Sequence, residues 1–192
     1  MKNSTTKSDL EKAAKKWIST LTKEEKFSLK SYSKNLYRDI NKYLANNETE
    51  EIDAESLQLF IDEIKSSLSK FHYNKSFIAY RGVSQEEFEE ILQNDTIIEF
   101  LDFKSSSISY EEAECFSFKS MMKNDGYYRY IVQYTIRQNA TGAYLNNKEV
   151  TEYPSEQEFL LDCGQKYKVI GKPITDANEK LTVIKVEVLG HE

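Results

Sequence analysis

Tyr153-Pro154-Ser155-Glu156-Gln157-Glu158-Phe159-Leu160-Leu161 sets two carboxylates one residue apart and follows them at once with three bulky apolar side chains. The apolar run reads as buried strand, so Glu158 to Leu161 is expected to be a strand and the carboxylates to sit at the edge of the core. In an extended chain, residues i and i+2 project to the same side, so Glu156 and Glu158 are expected to face one site. Two like charges held together are unfavourable, and one carboxyl should titrate high. Paired carboxylates suit reactions that pass through an oxocarbenium ion. One stabilises the positive charge developing at the sugar carbon, and the other orients or deprotonates the incoming nucleophile.

Two further segments stand out. Tyr80-Arg81-Gly82 places an arginine at the end of an expected strand, Ser76 to Arg81. Phe103-Lys104-Ser105-Ser106-Ser107 brings three hydroxyls to the end of another, Ile97 to Phe103. A guanidinium can clamp a pyrophosphate through bidentate hydrogen bonds, and a serine can hold a carboxylate in place.

Upstream, the first 70 or so residues read as helical. Thr22-Lys23-Glu24-Glu25 is a capping box, followed by Leu29, Tyr32, Leu36, Ile40, Tyr43 and Leu44 at helical spacing, with Asn46-Asn47 as the stop. A second helix opens at Asp53 and carries the stripe Leu57, Phe60, Ile61, Ile64, Leu68. Ser84-Gln85-Glu86-Glu87 is another capping box, and Ser109-Tyr110-Glu111-Glu112 starts one more short helical turn. Tyr128 to Ile136, Lys166 to Ile170 and Leu181 to Leu189 complete the expected strands. The order predicts an α+β fold with mainly antiparallel strands: a helical cap over 1–70 and a β-rich core over 71–192, within one domain.

Composition narrows the function. The chain has 192 residues, 13 Tyr and 10 Phe against 6 Gly and 2 Pro, so it is globular and long enough to bury a core. A net charge of −6 disfavours a nucleic-acid partner gripped by a broad basic surface, while leaving room for one anion pocket. Two cysteines and two histidines supply neither a disulfide framework nor a zinc site, so no metal is expected. Cys115 and Cys163 read as small core residues, and His72 as a surface or strand-edge residue. No stretch is apolar enough to span a bilayer, and Met1 to Lys16 lacks the apolar region of a secretory signal. The expectation is a monomer made in the cytosol, with no membrane partner, exported if at all by another route.

Taken together, these segments resemble the R-S-E class of ADP-ribosyltransferases, especially the catalytic subunits of actin-modifying binary toxins and related exoenzymes. Arg81 matches the family's arginine, and Ser105 opens the match to its S-T-S motif, with Ser106 in place of the threonine. Glu156 and Glu158 match its E-x-E, and Tyr153 matches an aromatic on the loop that meets the protein substrate. Leu21 to Leu44 is similar to the helical cap that precedes the catalytic sheets. The resemblance covers roughly Trp17 to Val188. It implies the fold of two packed, mainly antiparallel sheets and a transfer of ADP-ribose from NAD to an arginine of a target protein, with NAD consumed as co-substrate and hydrolysed slowly when no acceptor is present. It also implies roles. Arg81 binds the NAD phosphates, Ser105 hydrogen-bonds Glu158, Glu158 acts at the ribose, and Glu156 serves the acceptor. Tyr37 and Asn41 line the adenine or phosphate side. The stretch Cys115 to Lys119 falls at the family's phosphate–nicotinamide loop, with Phe116 on nicotinamide and Lys119 at a phosphate. The resemblance points to actin as one target, although relatives modify other proteins, including bacterial ones. The rival expectations are a non-catalytic nucleotide- or protein-binding relative, or an acceptor other than arginine, such as asparagine or a nucleic acid.

Overall fold

The computed structural model describes residues 2–49, 52–93 and 97–191. In chain order its helices are α1 (Lys2–Ile18), α2 (Lys23–Ser31), α3 (Tyr37–Asn46), α4 (Ala54–Ser69), α5 (Gln85–Leu92) and α6 (Tyr110–Met121), with a π-helical turn, Tyr32–Leu36, joining α2 to α3. The strands are β1 (Phe77–Val83), β2 (Ile98–Glu99), β3 (Lys104–Ser107), β4 (Arg129–Ile136), β5 (Gly142–Leu145), β6 (Glu158–Leu161), β7 (Lys166–Val169), β8 (Ile174–Asp176) and β9 (Leu181–Gly190). The expected α+β class holds. The chain divides into two compact units: Met1–Tyr73 with Phe100–Lys104 and Thr141–Gly164, and Asn74–Glu99 with Ser105–Ala140 and Gln165–Glu192. The helices expected as a cap therefore share their unit with the β5–β6 hairpin.

In the helical unit, the Thr22 capping box closes in full: Thr22 Oγ1 accepts from Glu25 N at 3.1 Å, and Glu25 Oε2 accepts from Thr22 N at 2.9 Å. The same carboxylate reaches α4, where Oε1 accepts from Ser66 Oγ at 2.8 Å and pairs with Lys70. Burial pushes the Glu25 carboxyl up, but the bonds from Lys70, the Thr22 backbone and Ser66, with the Lys70 charge, outweigh it and hold it below its ordinary value. Asp53 caps α4 by accepting from Ser56 N at 2.9 Å. Leu57, Ile61, Ile64 and Leu68 line one face of α4 and are buried together with Leu29, Tyr32 and Ile40. Each such side chain contributes about 1.5–3 kcal/mol by leaving water. Trp17 Nε1 donates to Ser67 O at 2.7 Å and ties α1 to α4. Ring contacts run from Trp17 to Phe71 (5.7 Å) and from Phe71 to Phe159 on β6 (5.9 Å). The hairpin pairs Gly142 with Leu161 through to Leu145 with Glu158, and every residue of both strands is buried. β5 was absent from the sequence expectation. Its four residues, buried throughout, carry no alternation to betray a strand.

In the second unit, the strands run β2-β7-β9-β4-β1-β3, with β8 beside β9. All these pairs are antiparallel except β4–β9, which is parallel over Arg129↔Leu181 to Ile136↔Val188. α6 packs closely on β1 at Gly82, where an added Cβ would lie 2.4 Å from Ala113 O and Ser117 N. On α5, Phe88 lies on Tyr130 of β4 with ring centroids 4.6 Å apart.

The strand expected over Ile97 to Phe103 is not continuous. Only Ile98–Glu99 pairs, against β7, and the chain bends before β3 begins at Lys104. Phe100 and Phe103 are both buried while Leu101 is exposed. A straight strand sends residues three apart to opposite faces, so burying both aromatics requires the bend. The serines thus belong to a strand of their own. The turn expected at Ser109 is a full helix, α6, whose cap Ser109 accepts from Glu112 N.

Candidate active site

Arg81 lies inside β1 rather than at its end, with Gly82 and Val83 still to follow. It pairs with Val132 of β4, and its neighbour Tyr80 pairs with Ser107 of β3, so the backbone is held from both sides. Its guanidinium is forked by Glu87: Nε donates to Oε1 at 3.1 Å and Nη2 to Oε2 at 3.3 Å. Nη1 donates to the backbone carbonyl of Ser105 at 2.9 Å. These three bonds fix the guanidinium plane, and the Arg81 side chain keeps 27 % of its surface exposed. The structure thus joins Arg81 and Ser105, two of the sequence candidates, through a main-chain contact.

Glu87 is a partner of Arg81 that the sequence did not reveal. It was read as the acidic member of a capping box. The backbone half of that box is present, with Glu87 N donating to Ser84 Oγ at 3.2 Å, while the carboxylate grips Arg81. The available signal was the spacing: a strand arginine and a carboxylate in the first turn of the very next helix.

The glutamates stand on a different kind of support. Pro154–Glu156 is a 3-10 turn, and Glu158 is the first residue of β6, paired with Leu145. Between them Gln157 has φ 50° and ψ 42°, in the left-handed region. The expectation that Glu156 and Glu158 share a face because the chain is extended is therefore corrected. The alternation rule stops at Gln157, and the turn and strand set the two carboxylates separately. Glu158 is 8 % exposed, Glu156 is half-buried and Tyr153 is 47 % exposed. Tyr153 N donates to Thr151 Oγ1 at 3.1 Å, Glu156 N to Tyr153 O at 3.1 Å, and Glu152 N to Ser33 Oγ at 3.0 Å.

Among the remaining candidates, Tyr37 is exposed on the first turn of α3, directly after the π-helical turn, with the Arg38 guanidinium 5.6 Å from its ring centre. Asn41 Nδ2 donates to the Tyr32 hydroxyl at 3.2 Å and to Phe103 O at 3.3 Å, so its amide clamps the helical unit. Cys115 to Lys119 is not a loop but the middle of α6. One helical turn apart, Lys119 Nζ lies 4.2 Å from the Phe116 ring centre, a cation–π contact. Arg129 caps the Phe118 ring at the same distance, 4.2 Å, and pairs with Glu114 at 2.9 Å. Beyond α6, residues 122–128 hold turns and a short 3-10 turn, Asp125–Tyr127, in which Gly126 and Tyr127 take positive φ. Cys115 is exposed on α6, against expectation, because Ala113 and Ser117 supply that helix's buried face. Cys163 is buried as expected, and burial pushes its thiol up to about 11, which keeps it unreactive. Among the described residues no cluster of His, Cys, Asp and Glu could hold a metal ion, and no helix is long and apolar enough to cross a membrane.

The family description "ADP-ribosyltransferase exoenzyme" matches residues 10–190. The chain belongs to this family of ADP-ribosyltransferase exoenzymes. Over 183 residues it is 31% identical to the NAD(+)--arginine ADP-ribosyltransferase EFV of Enterococcus faecalis (strain ATCC 700802 / V583), covering 95% of this chain and 34% of that protein. It thus spans about a third of that relative's length. Among solved ADP-ribosyltransferases, Plx2a, a toxin of Paenibacillus larvae, matches with a TM-score of 0.75 at 22% identity, covering 99% of this chain and 98% of that one. BECa, from a binary enterotoxin of C. perfringens and solved with NADH, also matches with a TM-score of 0.75, at 20% identity over 94% of this chain and 46% of that one. The ADP-ribosyltransferase fold expected from the R-S-E segments is the fold the chain has.

Proposed function

We propose that this chain is an NAD-dependent mono-ADP-ribosyltransferase that modifies an arginine of a target protein and acts as a toxin or effector. The observation that carries this reading is its 31% identity to an arginine ADP-ribosyltransferase over an alignment that covers 95% of the chain. NAD is the co-substrate, as the NADH in the related BECa structure suggests.

In this reading Arg81, its plane fixed by Glu87 and the Ser105 carbonyl, receives the pyrophosphate. The Ser105 hydroxyl holds the Glu158 carboxylate. Glu158 accepts from the 2′-hydroxyl of the nicotinamide ribose and stabilises the charge that develops at C1′. The C1′–N bond to nicotinamide breaks, and nicotinamide leaves with the electron pair. An arginine nitrogen of the target then forms the new bond to C1′, and Glu156 takes the proton that nitrogen loses. An anion suits this task, because it attracts a guanidinium and can accept its proton, whereas an amide does neither. Tyr153, exposed on the turn beside the glutamates, meets the target surface. Tyr37 serves the adenine or phosphate side, with Asn41 fixing its helix from within. Phe116 packs on nicotinamide and Lys119 meets a phosphate, both from α6.

The test is labelled NAD added with the chain to eukaryotic and bacterial lysates, with actin as the first purified candidate, followed by mass spectrometry of the labelled band. ADP-ribose on an arginine is expected, and modification confined to asparagine or nucleic acid contradicts the acceptor assignment. Glu156→Gln is expected to lose transfer by about 100-fold or more while NAD hydrolysis stays within about threefold.

A further inference from the structure

The segment that carries both glutamates has one joint. On its N-terminal side, Thr151 is fully buried and its hydroxyl accepts from Tyr153 N, while Tyr153 O accepts from Glu156 N. These bonds brace the turn up to Glu156. On the C-terminal side, Glu158 is already in register with Leu145, and Phe159 to Leu161 are buried in the hairpin. Only Gln157 lies between the turn and the strand, and its backbone is left-handed, at φ 50° and ψ 42°. For an L-residue with a Cβ that conformation is strained. Asparagine and glycine tolerate it best, and β-branched residues tolerate it least. Such strain persists only where the surroundings over-determine it, and it clusters at functional sites.

We propose that the left-handed backbone of Gln157 is the element that aims Glu156 relative to Glu158, and so sets how NAD cleavage divides between transfer to an acceptor and hydrolysis by water. This rests on the proposed roles of the two glutamates. With Gln157 in the β region, strand alternation would extend back from Glu158 and bring Glu156 to the same face of β6. The left-handed turn re-aims it. Glu158 keeps its strand register either way, so a change at Gln157 acts on the acceptor step rather than on bond cleavage. Gln157 is therefore a positioning residue, acting through its backbone.

The test is a series at this position, Gln157→Asn, Gln157→Ala and Gln157→Val, assayed with NAD for nicotinamide release and for ADP-ribosylation of agmatine, a small guanidine. The ratio of transfer to hydrolysis is read on the same sample, so loss of folded protein cancels. The ratio is expected to follow tolerance of the left-handed region. Asn should equal or exceed the parent, Ala, which carries the same Cβ as Gln, should stay within about twofold of it, and Val should fall about tenfold or more, with hydrolysis retained. Where Val does not fold, Gln157→Thr, β-branched but polar, carries the comparison. A ratio unchanged in Val overturns the inference, as does a fall in Ala as large as that in Val, which would place the effect in the side-chain amide. A parent chain that neither releases nicotinamide nor modifies agmatine overturns the reading of the site, and this inference with it. An active parent with an indifferent position 157 overturns the inference alone.

Discussion

Arg81 and the glutamate pair are held in opposite ways. Arg81 sits within a strand paired on both sides, and its head group is fixed by side-chain and carbonyl partners, Glu87 and Ser105. Glu156 and Glu158 owe their places to the backbone, a 3-10 turn and a strand joined at one left-handed residue. The first arrangement should break when a partner's charge or shape changes. The second should break when the chain's conformation changes.

The largest effect should come from Glu158→Gln, which removes the charge proposed to act at the ribose and should lower both nicotinamide release and transfer by about 1000-fold. Equal loss in the two assays separates this variant from Glu156→Gln, which spares hydrolysis. Next comes Arg81→Lys. It keeps the positive charge but loses the fork, and kcat/KM for NAD should fall by about 100-fold. Glu87→Gln tests whether the arginine side depends on its partner. The KM for NAD should rise about tenfold with kcat little changed, since the amide keeps the shape but not the charge. An unchanged KM would mean that strand pairing alone positions Arg81.

A contrasting capping glutamate gives the smallest effect. Glu25 closes its own box and anchors α4 through Ser66 and Lys70, far in sequence from the R-S-E residues. Because its folded pKa lies below the ordinary 4.5, its stabilising contribution is present above that value and is lost as pH falls through the folded pKa. Glu25→Gln should lower stability by about 1–3 kcal/mol at neutral pH, and the gap to the parent should close on acidification below that window. Thermal melts at neutral and acidic pH check this, and a gap that widens in acid would contradict it.

The sequence made one side of this comparison more legible than the other. Arg81 and Ser105 stand out as candidates because their residue types carry chemistry, and β1, β4, β7 and β9 are legible because β-branched and aromatic runs mark strands. Glu87 was hidden, because one carboxylate can serve a helix cap or a neighbouring arginine and spacing alone does not decide. The glutamate turn was misread because Gln carries no signature for a left-handed backbone, whereas Gly or Asn would have warned of it. Pro154 at the start of the 3-10 turn was the cue available. Phe116 and Lys119 were assigned to a loop by position in the family, while Ser109 and the acidic residues after it were already announcing a helix. β5 and the π-helical turn at Tyr32–Leu36 leave no periodic trace short of the fold itself.

The central claim is that Arg81 and Glu158 act on a single NAD molecule. A crystal structure of the Glu158→Gln variant soaked with NAD tests it most directly, since the substrate then survives intact. The account predicts density for the diphosphate within hydrogen-bonding distance of the Arg81 guanidinium, with the nicotinamide ribose against the side chain at position 158. NAD bound away from either residue would contradict it.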